Sequence, residues 1–130
     1  MKIGYQQLIA DAEQEIQTLT AADAIALLGD PDVQLIDLRD VRELQREGKV
    51  PNAFHAPRGM LEFWVDPDSP YHKDIFSTGK RLVFYCQSGW RSALATQAVQ
   101  RMGLQRVAHV GGGFTAWKAA AGPVEAVERS

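Results

Sequence analysis

The sequence predicts an α/β fold in which a parallel sheet carries helices on both faces. Three observations lead there. Short apolar, β-prone runs alternate with helix-like segments along the chain, the connections between them are short, and 130 residues suit one domain around one core. Hydrophobic residues make up 45% of the chain and charged residues 23%, which excludes a disordered polypeptide. A formal net charge of -2 supplies no basic field for a nucleic acid. No apolar run approaches the roughly 20 residues of a membrane helix, and the acid-containing start lacks the apolar stretch of a secretory signal. The single cysteine forms neither an internal disulfide nor a multi-cysteine metal site, so a reducing, cytoplasmic setting is expected.

Tyr5, Leu8, Ile9, Ala12 and Ile16 recur at helical spacing and predict an amphipathic N-terminal helix, with residues 1–15 as an extension to a domain over 16–130. Residues 16–19 (IQTL) alternate as a short strand would. Thr20 caps the next helix, with Asp23 three residues on; that helix runs through Ala24, Leu27 and Leu28 and stops at GDPD. VQLIDL, residues 33–38, reads as a buried strand. DVRELQREG reads as a helix ending at Gly48, PNAFHAP as at most a short strand, and RGMLEFW as one or two helical turns. VDPDSPYHKD is irregular. RLVFYC is the clearest buried strand. The helix after it, SALATQAVQRM, opens at Ser92, sets Leu94, Ala95, Ala98, Val99 and Met102 on one face, and stops at Gly103. RVAHV is a last strand, and GGGFTAWKAAAG a glycine turn followed by a short helix.

In parallel sheets ligands bind beyond the carboxyl ends of the strands, and Cys86 stands at such an end. A lone cysteine is commonly inert packing. Here Gln87, Ser88 and Gly89 are poor continuations of a buried strand, and Gly89 tolerates left-handed backbone angles. A tight loop at a helix start turns successive N–H groups inward as an anion nest, and with Arg91 it favours thiolate over thiol. Such a cradle serves sulfur transfer or phosphoryl transfer. Cysteine phosphatases resemble one another in an arginine six positions after the nucleophile; here that position is Ser92 and the arginine comes at five. The shorter loop suits a terminal sulfur better than a tetrahedral phosphate.

The loop CQSGWRS is similar to the six-residue active-site loop of the rhodanese family of sulfurtransferases. Upstream, LIDLRDVRELQREGKVPNA resembles a family signature through Asp37, Arg39, Glu43, Gly48, Pro51 and Ala53, with Lys49 where the family usually has histidine and Asn52 where glycine is common. Downstream, VAHVGGGFTAWKAAAGPV resembles the closing signature through Gly111 to Gly113, Trp117 and Gly122. The likeness spans roughly 19–124. PRGMLEFW resembles an insertion of some bacterial single-domain members.

The resemblance implies a rhodanese-like α/β fold with a parallel five-stranded sheet, and a persulfide carried on Cys86. Gln87, Ser88, Gly89, Trp90, Arg91 and Ser92 form the cradle. A small-molecule sulfur donor and a thiol acceptor are the implied partners, a protein persulfide among them; neither a metal nor an organic cofactor is required, and no nucleic acid or membrane is expected. Arg58 is a candidate to face the loop and hold an anionic donor. Asp37 reads as a loop anchor, Trp64 as packing, and the Trp90 ring as either exposed or a lid. His55 lies near the expected site, while His72 and His109 read as strand or surface residues. The alternatives are a phosphatase or arsenate-reducing enzyme of the same fold and a non-catalytic docking or sensing module, which has no need of the cysteine.

Overall fold

The computed structural model describes residues 1–128; the last two residues of the expected 16–130 domain lie outside the described residues. Five strands form one parallel sheet: β1 (Gln17–Leu19), β2 (Val33–Asp37), β3 (Phe54–His55), β4 (Arg81–Tyr85) and β5 (Val107–Val110), in the order β1-β5-β4-β2-β3. The helices are α1 (Tyr5–Glu15), α2 (Ala21–Ala26), α3 (Val41–Glu47), α4 (Leu61–Val65), α5 (Trp90–Met102) and α6 (Gly113–Ala119). The two-residue period of the strands splits the core. Ile36, Leu82 and Phe84 meet Leu61, Ala95 and Val99 on the side of α4 and α5. Leu35, Val83 and Tyr85 meet Ala24, Phe114 and Trp117 on the side of α2 and α6. Helices on both faces keep both sides of a parallel sheet from water.

Helix α1 packs outside α5 through Ala12, Ile16 and Ala93, with Ile9 and Leu94 alongside. Because α5 is therefore covered on two sides, its buried residues are Ser92, Ala93, Ala95, Thr96 and Val99 rather than a single apolar stripe. Met102, expected on that stripe, is exposed. Helix α2 ends earlier than expected, with Leu27 as its cap residue, and Asp74–Ser77 form a 3-10 turn that starts at the last residue of the segment expected to be irregular.

The caps follow the sequence. The Thr20 hydroxyl accepts the Asp23 N–H at 3.1 Å. Asp40 caps α3 by accepting the Arg42 N–H at 2.8 Å, while the Glu43 carboxylate reaches back to the Asp40 N–H at 2.9 Å, which completes a capping box. This box fixes Glu43, and Glu43 fixes a residue of the cysteine loop described below. Asp40→Ala should lower stability by about 1 kcal/mol, the usual effect of losing an N-cap. Urea denaturation measures it; an unchanged midpoint would mean that α3 is held by packing alone.

Candidate active site

Cys86 follows β4 at the carboxyl edge of the sheet and is 1% exposed. Its Sγ accepts the Gly89 N–H at 3.2 Å and the Ser92 N–H at 3.3 Å, and lies 3.5 Å from Ser92 Oγ. Gly89, at φ 93°, turns the chain from strand into helix. The helix begins at Trp90, two residues before the expected Ser92, so the Ser92 amide belongs to its first turn. The sulfur thus meets the amino end of a 13-residue helix, whose unpaired N–H groups and dipole favour negative charge.

The other side of the loop is held by α6. The Phe114 N–H donates to the Cys86 carbonyl at 2.8 Å and the Thr115 N–H to the Gln87 carbonyl at 3.1 Å. Gly113, at φ 60°, permits the approach: a Cβ there would lie 2.5 Å from the Cys86 carbonyl oxygen. Of the closing glycines, Gly113 is therefore the one required by contact with the cysteine loop.

Beneath the loop lies a buried ion pair. Arg39 and Asp37 side chains are both 0% exposed, with Arg39 Nη2 2.8 Å from Asp37 Oδ2. Asp37 also accepts the Arg39 N–H at 3.0 Å and the Tyr85 hydroxyl at 2.6 Å. Arg39 donates to the Gly48 carbonyl at 2.7 Å and to Gln87 Oε1 at 3.2 Å, and its guanidinium lies 4.2 Å from the Phe114 ring centre. Burial works against the Arg39 charge, and Asp37 more than restores it. Burial, then the Asp37 charge, pushes the Tyr85 phenol up, so it remains a donor. Asp37 is engaged on every side as an anchor.

The remaining candidates separate. Arg91 does not turn its guanidinium to the sulfur alone: Nη1 and Nη2 each lie 2.9 Å from a Glu43 carboxylate oxygen. That pairing raises the Arg91 pKa above its ordinary value, with the nearby Cys86 sulfur a smaller contributor, and holds the Glu43 carboxyl below its usual range. Arg58 Nη1 pairs with Glu62 at 2.8 Å, one helical turn along, because the 3-10 turn Arg58–Met60 begins at once after Pro57, leads into α4 and puts Glu62 within reach. Gln87 spends its side chain on Arg39, Glu47 and Thr115. Ser88 is exposed. The Trp90 ring is 55% exposed and packs on Tyr5 of α1 at 4.9 Å, so it is no lid over the sulfur. Trp64 packs edge-on to Phe54 in the core. His55 Nε2 lies 2.6 Å from the Arg39 carbonyl oxygen and supports the loop after β2.

Two residues beside the loop were not in the expected set. Glu43 had a signal in the capping box, but its partner Arg91 lies 48 positions away. His109 is 1% exposed on β5, with Nδ1 2.9 Å from Ser92 Oγ and Nε2 3.1 Å from Thr18 Oγ1. A polar residue between apolar neighbours in VAHV was its only signal. Among the described residues no group of three or more His, Cys, Asp or Glu side chains is arranged to hold a metal ion, and no helix is long and apolar enough to cross a membrane.

A parallel sheet that delivers a cysteine to the amino end of a helix, five positions before an arginine, defines a class of cysteine-loop α/β domains. A model of the rhodanese-like domain family matches residues 20–120, and the chain belongs to that family. It is 31% identical over 97 residues to a sulfurtransferase of Allochromatium vinosum, covering 75% of this chain and 82% of that protein. It is 30% identical over 104 residues to thiosulfate sulfurtransferase/rhodanese-like domain-containing protein 3 of Mus musculus, covering 76% of this chain and 66% of the relative. A tRNA uridine(34) hydroxylase of Cronobacter sakazakii is 34% identical over 108 residues, 80% of this chain but 29% of that protein. A solved protein of unknown function from Rhodopseudomonas palustris, described as a possible tyrosine phosphatase, superposes with a TM-score of 0.94 at 53% identity, covering 96% of each chain.

The buried imidazole makes stability depend on pH. Burial pushes His109 from 6.5 down to about 4. Between those values the unfolded chain binds a proton that the folded chain refuses, so this contribution makes stability rise with pH and is lost as pH falls toward about 4. His109→Leu should flatten that part of the profile, while the lowered Glu43 carboxyl leaves a slope of the same sign in both proteins. Urea denaturation from about pH 4.5 to 7 reads the difference. Parallel curves for the two proteins would mean that His109 does not stay neutral when folded.

Proposed function

We propose that the chain is a sulfurtransferase that moves a sulfane sulfur from thiosulfate or a persulfide to a thiol, or to cyanide in vitro, through a persulfide on Cys86. The observation that carries this reading is the cradle itself: two backbone N–H groups directed at one sulfur atom and a hydroxyl oxygen 3.5 Å from it, in a loop with arginine at the fifth position. The Cys86 thiolate attacks the outer sulfur of thiosulfate; the new S–S bond forms as the bond to the sulfite group breaks, and sulfite leaves with the bonding pair. The acceptor then attacks the outer sulfur of the persulfide, and Cys86 leaves as thiolate. Helix-end amides stabilise the anionic sulfur in both half-reactions. A cleft lined by Arg42, Arg46 and Arg91 opens beside the loop, with Arg42 paired to Asp40 and Arg91 to Glu43, so an anionic donor meets an approach in which the cations are largely balanced. With no second cysteine, the chain relies on an external acceptor, a small thiol or a protein thiol, in a reducing cytoplasm. The sulfurtransferase relative supports the same reading.

Phosphoryl transfer is the competing chemistry, favoured by the description of the Rhodopseudomonas protein. The loop length weighs against it, because a tetrahedral phosphoryl group needs more inward N–H groups at a wider radius than one sulfur atom.

Mixing with thiosulfate should add one sulfur, about 32 Da by atomic mass at a site of this kind, and cyanide should remove it as thiocyanate. Cys86→Ser should do neither while keeping its fold. Intact-protein mass spectrometry decides the matter, and undiminished thiocyanate formation by Cys86→Ser would sink the reading.

A glycine inserted between Trp90 and Arg91 tests the loop length. It falls in the first turn of α5 and would draw the Ser92 N–H away from the sulfur. Losing one such donor costs on the order of 10²–10³ in rate, so thiosulfate turnover should drop by that factor. The native protein should turn over aryl phosphates more slowly than it transfers sulfur. Steady-state rates for both substrates on both proteins check this, and the reverse order in the native protein would replace sulfur transfer with phosphoryl transfer.

A further inference from the structure

Behind the sulfur runs a line of polar groups through the interior. Ser92 Oγ, 3.5 Å from Cys86 Sγ, lies 2.9 Å from His109 Nδ1, and His109 Nε2 lies 3.1 Å from Thr18 Oγ1. Ser92 and His109 are buried, whereas Thr18 is exposed on the edge strand β1. The sheet register builds the line, because Thr18 and His109 are directly paired between β1 and β5. His109 shares the α5 side of the sheet with Phe84, its partner on β4. An apolar residue there would avoid the cost of burying an imidazole. Both ring nitrogens are instead matched to hydroxyls, one of which touches the nucleophile.

We propose that Thr18, His109 and Ser92 form a hydrogen-bond relay that aims the Ser92 hydroxyl at the Cys86 thiolate, which makes His109 and Thr18 positioning residues for the sulfur. A thiolate only accepts, and that sets every bond in the line. The Ser92 O–H donates to Sγ, Ser92 Oγ accepts from His109 Nδ1–H, and the bare Nε2 accepts from the Thr18 O–H. When the sulfur carries a proton the line runs the other way: S–H donates to Ser92 Oγ, the Ser92 O–H to Nδ1, and Nε2–H to Thr18 Oγ1. Between the two states each member passes one proton along, and the proton lost by the thiol leaves as one from the Thr18 oxygen to water. The imidazole changes tautomer and is neutral in both states, which agrees with burial pushing its pKa down to about 4.

The relay rests on the sulfur-transfer reading for its use in turnover, but its test does not need turnover. The readout is the rate of Cys86 alkylation by iodoacetamide near neutral pH, in the whole chain. Thr18→Val keeps the shape of an exposed strand residue, and His109→Leu replaces a buried polar group with an apolar one. Each should slow alkylation by about two- to tenfold, the usual range for one net hydrogen bond. In a Ser92→Ala background neither should slow it further, because both act through the Ser92 hydroxyl. A purely structural role would slow alkylation equally in both backgrounds, and that result overturns the relay, as does an unchanged rate in Thr18→Val. If the coupled pattern holds while thiosulfate leaves no sulfur on Cys86, the relay stands and the sulfur-transfer reading falls.

Discussion

The structure of the site depends on one buried ion pair. Asp37 at the end of β2 and Arg39 two residues later are both removed from water, a costly arrangement unless charge and hydrogen-bonding capacity are matched. They are matched by partners that had to be gathered: the Tyr85 hydroxyl from β4, the Gly48 carbonyl at the end of α3, the Gln87 amide of the cysteine loop, and the Phe114 ring of α6. Each partner lies on a different element. The pair therefore ties together the elements that surround Cys86 without touching the sulfur. Loss of either charge would leave the other buried and alone, so the arrangement stands or fails as a unit.

Above this pair, the backbone of the cysteine loop is divided between two helices. Carbonyls of Cys86 and Gln87 are taken by amides at the start of α6, while the amides of Gly89 and Ser92 at the start of α5 serve the sulfur. Buried backbone groups need partners, and this division gives each helix start one kind of group to satisfy. It explains why the closing glycines and the cysteine loop occur together although more than 20 residues separate them. Gly113 is what lets α6 reach the Cys86 carbonyl, and without that bond the loop has no floor.

Much of this was legible in the sequence because the signals were local. Apolar runs gave the strands, Thr20 gave the start of α2, and Gly89 marked the left-handed turn after the cysteine. Where the reading departed from the structure, the missing information was non-local. Arg58 looked free until α4 brought Glu62 one turn away. Arg91 looked free to face the sulfur, yet its partner Glu43 comes from a helix 48 positions earlier. The single stripe expected on α5 ignored α1, which covers a second side of the same helix. His109 could be placed on a strand, but only the register with Thr18 and the approach of Ser92 give its nitrogens a meaning.

These non-local contacts define how the site handles charge. The groups in hydrogen-bond reach of Cys86 Sγ are amides and a hydroxyl, which are dipoles. The nearby Arg91 is largely neutralised by Glu43, which is itself held by the capping box of α3. A cradle of dipoles favours a charge that appears on one atom at close range, and the benefit falls off quickly with distance. A free cluster of cations would instead favour any anion that entered. The pairing of Arg91 with Glu43 thus does more than fix a loop. It leaves the close-range stabilisation of charge to the dipoles directed at the cysteine sulfur itself.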